Sequence, residues 1–273
     1  AVVPLGPPEQ EASPHDFRER VEVAGRLGYS GVGLMHSDLM QIRRQYDWHT
    51  IRNILAESGM KYLELEFLVG WIAEGEEYAR AEIVLDDMLT AAQALDVRHL
   101  KIGPDMQAKT WSMQHMIERF GGLCDKAAVH GTDVVLEPMP WCNVADLETA
   151  IAIVSGAARP NGGLLLDIWH LARGGVGYNE ITTIPAGLVH YVEINDADVE
   201  IRGTLLEDTL NHRRFCGHGA LDVSAFLKSV LDQGYDGPFG IEIISEFERN
   251  RPFAEVAADA IRTAQNEFAK VGK

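Results

Sequence analysis

Short apolar runs alternate with longer amphipathic segments along the whole chain. Eight of these runs are typical of buried parallel strands, and their starts lie about 34 residues apart on average. That interval leaves room for a strand, a helix and two loops. The eight predicted strands are AVVPL (1–5), GVGLM (31–35), KYLELEF (61–67), RHLKIG (98–103), DVVLEP (133–138), GLLLDI (163–168), LVHYVEIND (188–196) and FGIEII (239–244).

The segments between the strands carry apolar residues at helical spacing. The clearest are EEYARAEIVLDDMLTAAQALD (76–96), SMQHMIERFGGLCDKAAVHG (112–131) and DVSAFLKSVLDQGYDG (222–237). Gly131 is a plausible C-cap of the second helix, and Gly234 is expected to stop the third. The longest interval between strands contains residues 196–219, which we interpret as an extended loop.

Eight alternating units without a linker predict an α/β protein made of one (β/α)8 TIM barrel domain over residues 1–273. The main alternative is a doubly wound open sheet. Such a sheet usually has a glycine-rich turn after its first strand, and neither GxGxxG nor GxxxxGK[ST] occurs here. The barrel is therefore the favoured fold.

The charge of the chain limits its partners. The formal net charge is −17, and a surface this acidic repels phosphate backbones and anionic lipids, so we expect neither nucleic acid nor a membrane as a partner. Three widely spaced cysteines make no CxxC pair, which fits a reducing cytoplasm. No apolar run reaches the roughly 18 residues of a membrane span.

Several predicted strands end on an acid. In a barrel, the carboxyl ends of the strands form the catalytic mouth, where a buried carboxylate is costly unless it is paired or binds a cation. One such acid has an ordinary explanation as a salt bridge or helix N-cap, but four successive units share the feature. In those four units the acids are Glu137, Asp167, Glu193 and Glu242, and an earlier strand carries Glu64 or Glu66.

Converging acids predict an oxygen-rich cage for a divalent ion. Oxygen ligands favour a hard ion, with Mn²⁺ expected first and Mg²⁺ or Co²⁺ as alternatives, over a structural Zn²⁺. Four carboxylates leave a surplus of negative charge around one dication, so at least one is expected to hold a proton. Asp167 could instead cap a helix, and Glu193 could pair with an arginine such as Arg214. Glu64 and Glu66 alternate along one strand, so we expect only one to face inward.

Five motifs carry a family likeness and follow one another in order between residues 131 and 244. They are VVLEPMP, LLLDIWHLARGG, HYVEINDAD, CGHGALD and YDGPFGIEII. Together they resemble the sugar phosphate isomerase/epimerase superfamily of xylose-isomerase-like TIM barrels. That group includes ketose 3-epimerases, hydroxypyruvate isomerase, inosose dehydratase and dehydroshikimate dehydratase, and more distantly endonuclease IV.

The resemblance implies roles for individual residues. Glu137 and Glu242 would be metal ligands and also the acid–base pair, Asp167 would be a ligand, and His170 would contact the substrate or the metal-bound water. The seventh-strand ligand in the family is usually His or Gln, whereas this chain has Glu193. The family also often has an acid between two glycines where His218 stands here.

The chemistry implied is proton movement beside a carbonyl, through an enediolate that a metal ion stabilises. We therefore predict a divalent-metal-dependent sugar isomerase or epimerase. The closest alternative is a lyase or dehydratase, or a C-glycoside-cleaving enzyme, that acts on an oxidised 3-oxo sugar. The departure at Glu193 and the tryptophans mildly favour a non-standard substrate.

Substrate contacts are predicted from residues near the strand ends. The segment NHRRFCGHG is interpreted as a cationic lid over a polyhydroxylated or anionic substrate, or else as a solvated loop. Trp169 could stack on a sugar or belong to the core, and Lys101 could touch substrate or form an ion pair with an acid. The predicted substrate-binding residues are Arg214, His212, Trp169, Lys101 and Glu66.

Two further classes remain as alternatives. A DNA-repair nuclease shares the barrel but needs more histidine ligands and a basic groove. A barrel without catalytic activity is the other, and the intact acids argue against it. The expected partner is a small sugar or sugar-derived substrate, and the resemblance allows a homo-oligomer.

Overall fold

The computed structural model describes residues 12–273. In chain order the strands are β1 (Gly31–Met35), β2 (Tyr62–Leu68), β3 (His99–Ile102), β4 (Asp133–Leu136), β5 (Gly162–Asp167), β6 (Val189–Ile194), β7 (Asp196–Ala197), β8 (Arg213–Arg214) and β9 (Phe239–Ile241). The α-helices are α1 (Phe17–Leu27), α2 (His36–Gln45), α3 (Trp48–Glu57), α4 (Gly75–Leu95), α5 (Met113–Ala128), α6 (Leu147–Ala157), α7 (Ile168–Arg173), α8 (Leu205–Asn211), α9 (Val223–Asp232) and α10 (Phe253–Lys270). Short 3₁₀ helices cover Tyr178–Thr183 and Glu248–Asn250.

Seven strands form one parallel sheet in the order β1–β2–β3–β4–β5–β6–β9, with helices on its outer side. The sheet curves round on itself. This curvature brings Lys101 Nζ on β3 within 3.0 Å of Glu242 Oε1, just beyond β9, across the interior. The fold is the predicted (β/α)8 TIM barrel. The first predicted strand, residues 1–5, lies outside the described residues.

The other seven predicted strands are confirmed, with ends that differ by no more than three residues. Five of these seven predicted runs are too long at their carboxyl ends, where the chain turns out of the sheet. Glu137 and Glu242 each lie one residue past a strand. Their backbone N–H groups still donate to strand neighbours, to Ile102 O at 3.1 Å and to Ile194 O at 3.2 Å. The sheet therefore fixes the backbone of both acids.

The three predicted helices are confirmed as α4, α5 and α9, with one correction at a helix end. Gly234 follows α9 with φ of 100°, a left-handed conformation that favours glycine. Gly131 is not the C-cap of α5, since that helix ends at Ala128. The chain then turns through bonds from His130 N and Thr132 N to Ala127 O, and Gly131 lies within the turn.

The extended loop predicted for residues 196–219 is wrong in part. This segment contains β7, α8 and β8, and β7 pairs antiparallel with β8. Helix α8 starts at a capping box, in which Thr204 Oγ1 accepts from Glu207 N at 3.1 Å and Glu207 Oε2 accepts from Thr204 N at 2.7 Å. The Thr-x-x-Glu spacing was a signal for this helix that the sequence analysis missed.

Hydrophobic packing occurs on both sides of the sheet. The large core lies between the strands and the surrounding helices, while Val135, Leu165 and Tyr191 form a separate apolar cluster. Each of these three residues lies two positions before an acid, namely Glu137, Asp167 or Glu193. Because alternate residues of a strand share a face, the acids stand in the next layer toward the carboxyl ends.

In residues 12–273 no helix combines the length and the apolar composition that crossing a bilayer would need. The single-domain organisation and the cytoplasmic location stay predictions.

Candidate active site

A layer of charged side chains lies inside the barrel at the carboxyl ends of the strands. Oxygen atoms of Asp167, Glu193 and Glu242 lie within 4.8 Å of one another, and ligand atoms of Glu137, Asp167 and His170 form a second such group. The carboxylates predicted from the sequence thus converge on one place. We call the carboxylates of Glu137, Asp167, Glu193 and Glu242, together with Glu66, Lys101 and Arg213, the charged layer.

Lys101 occupies the middle of the charged layer. Its Nζ atom lies 2.8 Å from Glu193 Oε2, 3.0 Å from Glu242 Oε1, 3.4 Å from Glu137 Oε2 and 3.5 Å from Glu66 Oε2. The ion-pair interpretation of Lys101 is confirmed, while its contact with a substrate stays a prediction. Although burial alone would lower it, these carboxylates hold the pKa of Lys101 well above its ordinary value.

Arg213 is the second cation of the layer, and the sequence pattern indicated no separate role for it. Its Nη1 atom lies 2.7 Å from both Asp167 Oδ2 and Glu242 Oε2, and its Nη2 atom donates to Thr209 Oγ1 at 2.8 Å. The side chain is fully buried. The sequence signal for a buried cation here was the pair of adjacent arginines, but the sequence did not show which of the two points inward.

Asp167 has two separate tasks. Its Oδ1 atom accepts from Trp169 N at 2.7 Å and His170 N at 3.1 Å, so it caps α7 as the simpler interpretation predicted. Its Oδ2 atom accepts from Asn195 Nδ2 at 3.0 Å and from Arg213. One oxygen thus orients the side chain while the other belongs to the charged layer.

His170 closes one side of the layer. Its Nε2 atom lies 3.3 Å from both Glu137 Oε1 and Arg213 Nη2. Burial lowers the pKa of His170 to about 3, so the imidazole is neutral near pH 7. Because the Arg213 guanidinium can only donate, Nε2 is assigned as the acceptor and Nδ1 as the protonated nitrogen.

Two glutamates in contact with Lys101 have pKa values displaced in opposite directions. Burial, together with the charges of Glu242 and Asp167, raises the pKa of Glu137 to about 8 despite Lys101. For Glu242, burial is outweighed by Lys101 and Arg213, which lower its pKa to about 2. At neutral pH one carboxyl group therefore holds a proton and the other is ionised, which is the usual arrangement of an acid–base pair.

The expectation that only one of Glu64 and Glu66 faces inward is wrong. Residues two apart on a strand share a face, and both side chains lie beside Gly33 of β1. Glu64 pairs with His99 at 3.0 Å, one layer below the charged layer. Burial raises the pKa of Glu66 to about 7, and Glu64 and Glu242 add to the shift against Lys101.

Of three predicted substrate-binding residues, Trp169 lies in the core, while the substrate contacts of Arg214 and His212 stay predictions. Arg214 is exposed and pairs with Asp198 at 2.8 Å, so the suggested ion pair between Arg214 and Glu193 is wrong. Trp169 is completely buried and packs against Trp141 and His170, with ring centroids 6.1 Å and 5.2 Å away. His212 is half-buried at the end of α8. Burial makes Trp169 part of the wall behind His170 rather than an open stacking face.

The charged layer fits a divalent ion. Five carboxyl groups share two cationic side chains, so negative charge remains in excess, and the raised pKa values of Glu66, Glu137 and Glu193 reflect that excess together with their burial. Glu137 Oε1 is buried and has no hydrogen-bond partner among the described residues. Glu137, Asp167, Glu193 and Glu242 could supply oxygen ligands, the type that hard dications prefer.

A family model described as "Xylose isomerase-like TIM barrel" matches residues 21–265. The chain belongs to this family. The resemblance inferred from the five sequence motifs is thereby confirmed.

Similar proteins are named as enzymes. The chain is 26% identical over 253 residues to a 3-dehydroshikimate dehydratase of Pseudomonas aeruginosa, covering 90% of this chain and 39% of that protein. It is 23% identical over 260 residues to an inosose isomerase of Halalkalibacterium halodurans, covering 92% and 89%. The chain thus spans about two-fifths of the length of the Pseudomonas relatives it matches.

Solved structures share the fold. The IOLI protein, described with a bound zinc atom, superposes with a TM-score of 0.85 at 20% identity, with 94% of each chain covered. At this identity the likeness establishes the barrel architecture and nothing about its chemistry.

Proposed function

We propose that the protein is a divalent-metal-dependent enzyme that moves a proton beside the carbonyl group of a small ketose or keto-cyclitol, and so acts as an isomerase or epimerase. The observation that carries this proposal is the convergence of Glu137 and Glu242 on Lys101 Nζ, at 3.4 Å and 3.0 Å, within one charged layer, where their pKa values are displaced in opposite directions. The inosose isomerase relative, which aligns over most of its length, supports the same chemistry.

The ion would be held by Glu137, Asp167, Glu193 and Glu242. Mn²⁺ is the ion to test first, then Mg²⁺ and Co²⁺, and the zinc atom described for the IOLI protein adds Zn²⁺. When bound, a dication here would polarise the carbonyl group of the substrate and stabilise the negative charge that develops during proton removal.

Glu242 is the proposed base. It is ionised at neutral pH, and its side chain is 19% exposed, whereas that of Glu137 is 1% exposed. Its carboxylate would remove the proton from the carbon beside the carbonyl. Lys101 and Arg213 hold this carboxylate in position from two sides.

Glu137 is the proposed acid, because its pKa of about 8 in the metal-free protein marks it as the carboxyl group of the pair that takes up a proton more readily. Return of a proton to the neighbouring carbon gives isomerisation, and return to the opposite face of the same carbon gives epimerisation. Neutral His170, beside Glu137, would donate a hydrogen bond to a substrate hydroxyl from its Nδ1–H, which has no partner within residues 12–273.

A dehydratase is the second candidate, since the Pseudomonas aeruginosa relative carries that name and covers 90% of this chain. This reaction needs an acid for the departing hydroxyl group. Glu66, with a pKa of about 7 and an 18% exposed side chain, lies 3.5 Å from Lys101 Nζ and could supply that proton. The C-glycoside-cleaving alternative stays a prediction.

Solvent exchange distinguishes the two candidates. The protein, loaded in turn with Mn²⁺, Mg²⁺, Co²⁺ and Zn²⁺, is incubated in deuterium oxide with inosose, a ketose panel and 3-dehydroshikimate, and followed by NMR and ultraviolet absorbance. An isomerase incorporates deuterium beside the carbonyl without elimination, while a dehydratase accumulates a conjugated product. The proposal is refuted if no substrate exchanges or reacts with any of the ions.

Substitution of the two glutamates tests their roles. Glu137→Gln and Glu242→Gln keep the side-chain shape but remove the acid or base, so each is expected to lower turnover by at least about 10³-fold. Circular dichroism should show that both variants remain folded. Glu77→Gln, at an exposed ion pair with Lys109, is the matched control and should retain activity. Wild-type turnover by either active-site variant would contradict the assignment.

A further inference from the structure

A lysine ammonium lies among the very oxygen atoms that the proposed metal site would use. Three of the four glutamates around Lys101 Nζ, namely Glu137, Glu193 and Glu242, are proposed ligands of the dication. An ammonium offers three hydrogen atoms, so it cannot satisfy four carboxylates at once. Its side chain is 3% exposed, and water therefore does not screen the charge appreciably.

The two cations of the layer are held differently. Arg213 pairs with Asp167 and Glu242 and is also anchored by Thr209 Oγ1, which accepts from Nε at 3.1 Å and Nη2 at 2.8 Å. Lys101, in contrast, forms all its described ion pairs with glutamates of the layer. A lysine carries its charge on a flexible four-carbon stem, so its head can move while its backbone stays in β3.

We propose that Lys101 is a tethered counter-ion. Its ammonium group competes with the divalent ion for the carboxylates and so sets the affinity of the site for that ion. Without the ion, the ammonium neutralises part of the glutamate charge and keeps the layer together. When the ion enters, the ammonium must give up some of these oxygens, which weakens ion binding. The inference rests on the proposed metal-dependent function.

Calorimetric titration of chelator-treated protein with Mn²⁺ tests this role. Lys101→Met removes the charge but keeps an unbranched side chain, and Lys101→Gln is a second variant that retains a hydrogen-bond donor. Because a nearby positive charge opposes a dication in a poorly screened site, both variants are expected to bind Mn²⁺ at least about tenfold more tightly than the wild type. Lys109→Met, at an exposed pair with Glu77, should leave the affinity unchanged.

Thermal unfolding gives an independent readout. In chelator, the Lys101 variants should melt below the wild type, and Mn²⁺ should raise their midpoint by more than it raises that of the wild type. Folding of a variant only in the presence of Mn²⁺ would support the inference in the same way. If the wild type binds Mn²⁺ and the variants bind it equally or more weakly, the inference fails while the proposed function stands. If neither wild type nor variants bind Mn²⁺, Mg²⁺, Co²⁺ or Zn²⁺, the metal site and this inference both fail.

Discussion

The clearest stability prediction concerns Arg213. Replacement by Met keeps much of the side-chain volume but removes the guanidinium that pairs with Asp167 and Glu242, both at 2.7 Å. The arginine is 1% exposed and Asp167 is 0% exposed, so water cannot take the place of the lost charge without rearrangement. We expect a large loss of folding free energy.

The magnitude follows from the remaining partners. Removing one member of a buried ion pair typically costs about 3–5 kcal/mol. Asp167 keeps its bonds from Trp169 N, His170 N and Asn195, and Glu242 keeps Lys101, so the lower end of the range, about 3 kcal/mol, is expected. For a chain of 273 residues, that corresponds to a fall of roughly 5 °C in Tm.

Urea unfolding and thermal melting of the metal-free protein at pH 7, followed by circular dichroism, measure the effect. Arg214→Met is a matched control, since its exposed pair with Asp198 should contribute less than about 1 kcal/mol. The pKa of Glu242 is about 2 in the fold and near 4.5 in the unfolded chain. Its paired carboxylate therefore stabilises the protein fully above pH 4.5, and this contribution is lost as the pH falls toward 2.

The difference in unfolding free energy between Arg213→Met and the wild type should accordingly become smaller as the pH falls from 4.5 toward 2. Two results would refute the reasoning. One is an Arg213→Met variant that unfolds within about 1 kcal/mol of the wild type at pH 7. The other is an Arg214→Met variant that is destabilised as much as Arg213→Met.

Three further predictions follow from the same structure. In the metal-free protein, Glu66 and Glu137 have raised pKa values, so their contribution to stability is fully present below pH 4.5 and is lost as the pH rises through 7 to 8. Urea unfolding should therefore show a loss of at least about 2 kcal/mol in unfolding free energy between pH 5 and 8.5. A flat profile would contradict the assignment. Trp169→Ala removes a fully buried indole and should cost about 3–5 kcal/mol in the same assay, whereas a neutral result would mean that the indole is not part of the core. Gly163→Ala would bring a Cβ within 2.2 Å of His190 Cγ, so we expect at least about 2 kcal/mol of destabilisation, and a wild-type melting temperature would show that His190 moves aside freely.

The sequence predicted the barrel and the acids well because both depend on strand periodicity. Apolar runs of parallel strands are buried on both faces, and the acid at each strand end breaks that pattern visibly. Asp167 and Glu193 stand where the pattern predicted them, and the structure brings them together with Glu242. Their catalytic roles are proposals, since periodicity locates a residue without assigning it a reaction.

The sequence could not predict how the cations of the layer are arranged. Arg213 and Arg214 are adjacent on a two-residue strand, and the antiparallel pairing of β8 with β7 turns the first inward and the second to solvent. That register depends on contacts between distant segments, which a local pattern does not contain. Lys101 was visible as a charge at the end of β3, but its four partners come from four other segments of the chain.

The charged layer also joins strands that are not neighbours in the sheet. Lys101 connects β3 with the ends of β6 and β9, and Arg213 connects the segment after α8 with β5. The groups proposed for chemistry thus act as crosslinks through the barrel, and altering them in laboratory evolution would erode foldability along with reactivity. New substrate preferences should be sought instead in the loops around the mouth, where side chains can vary without breaking these ion pairs.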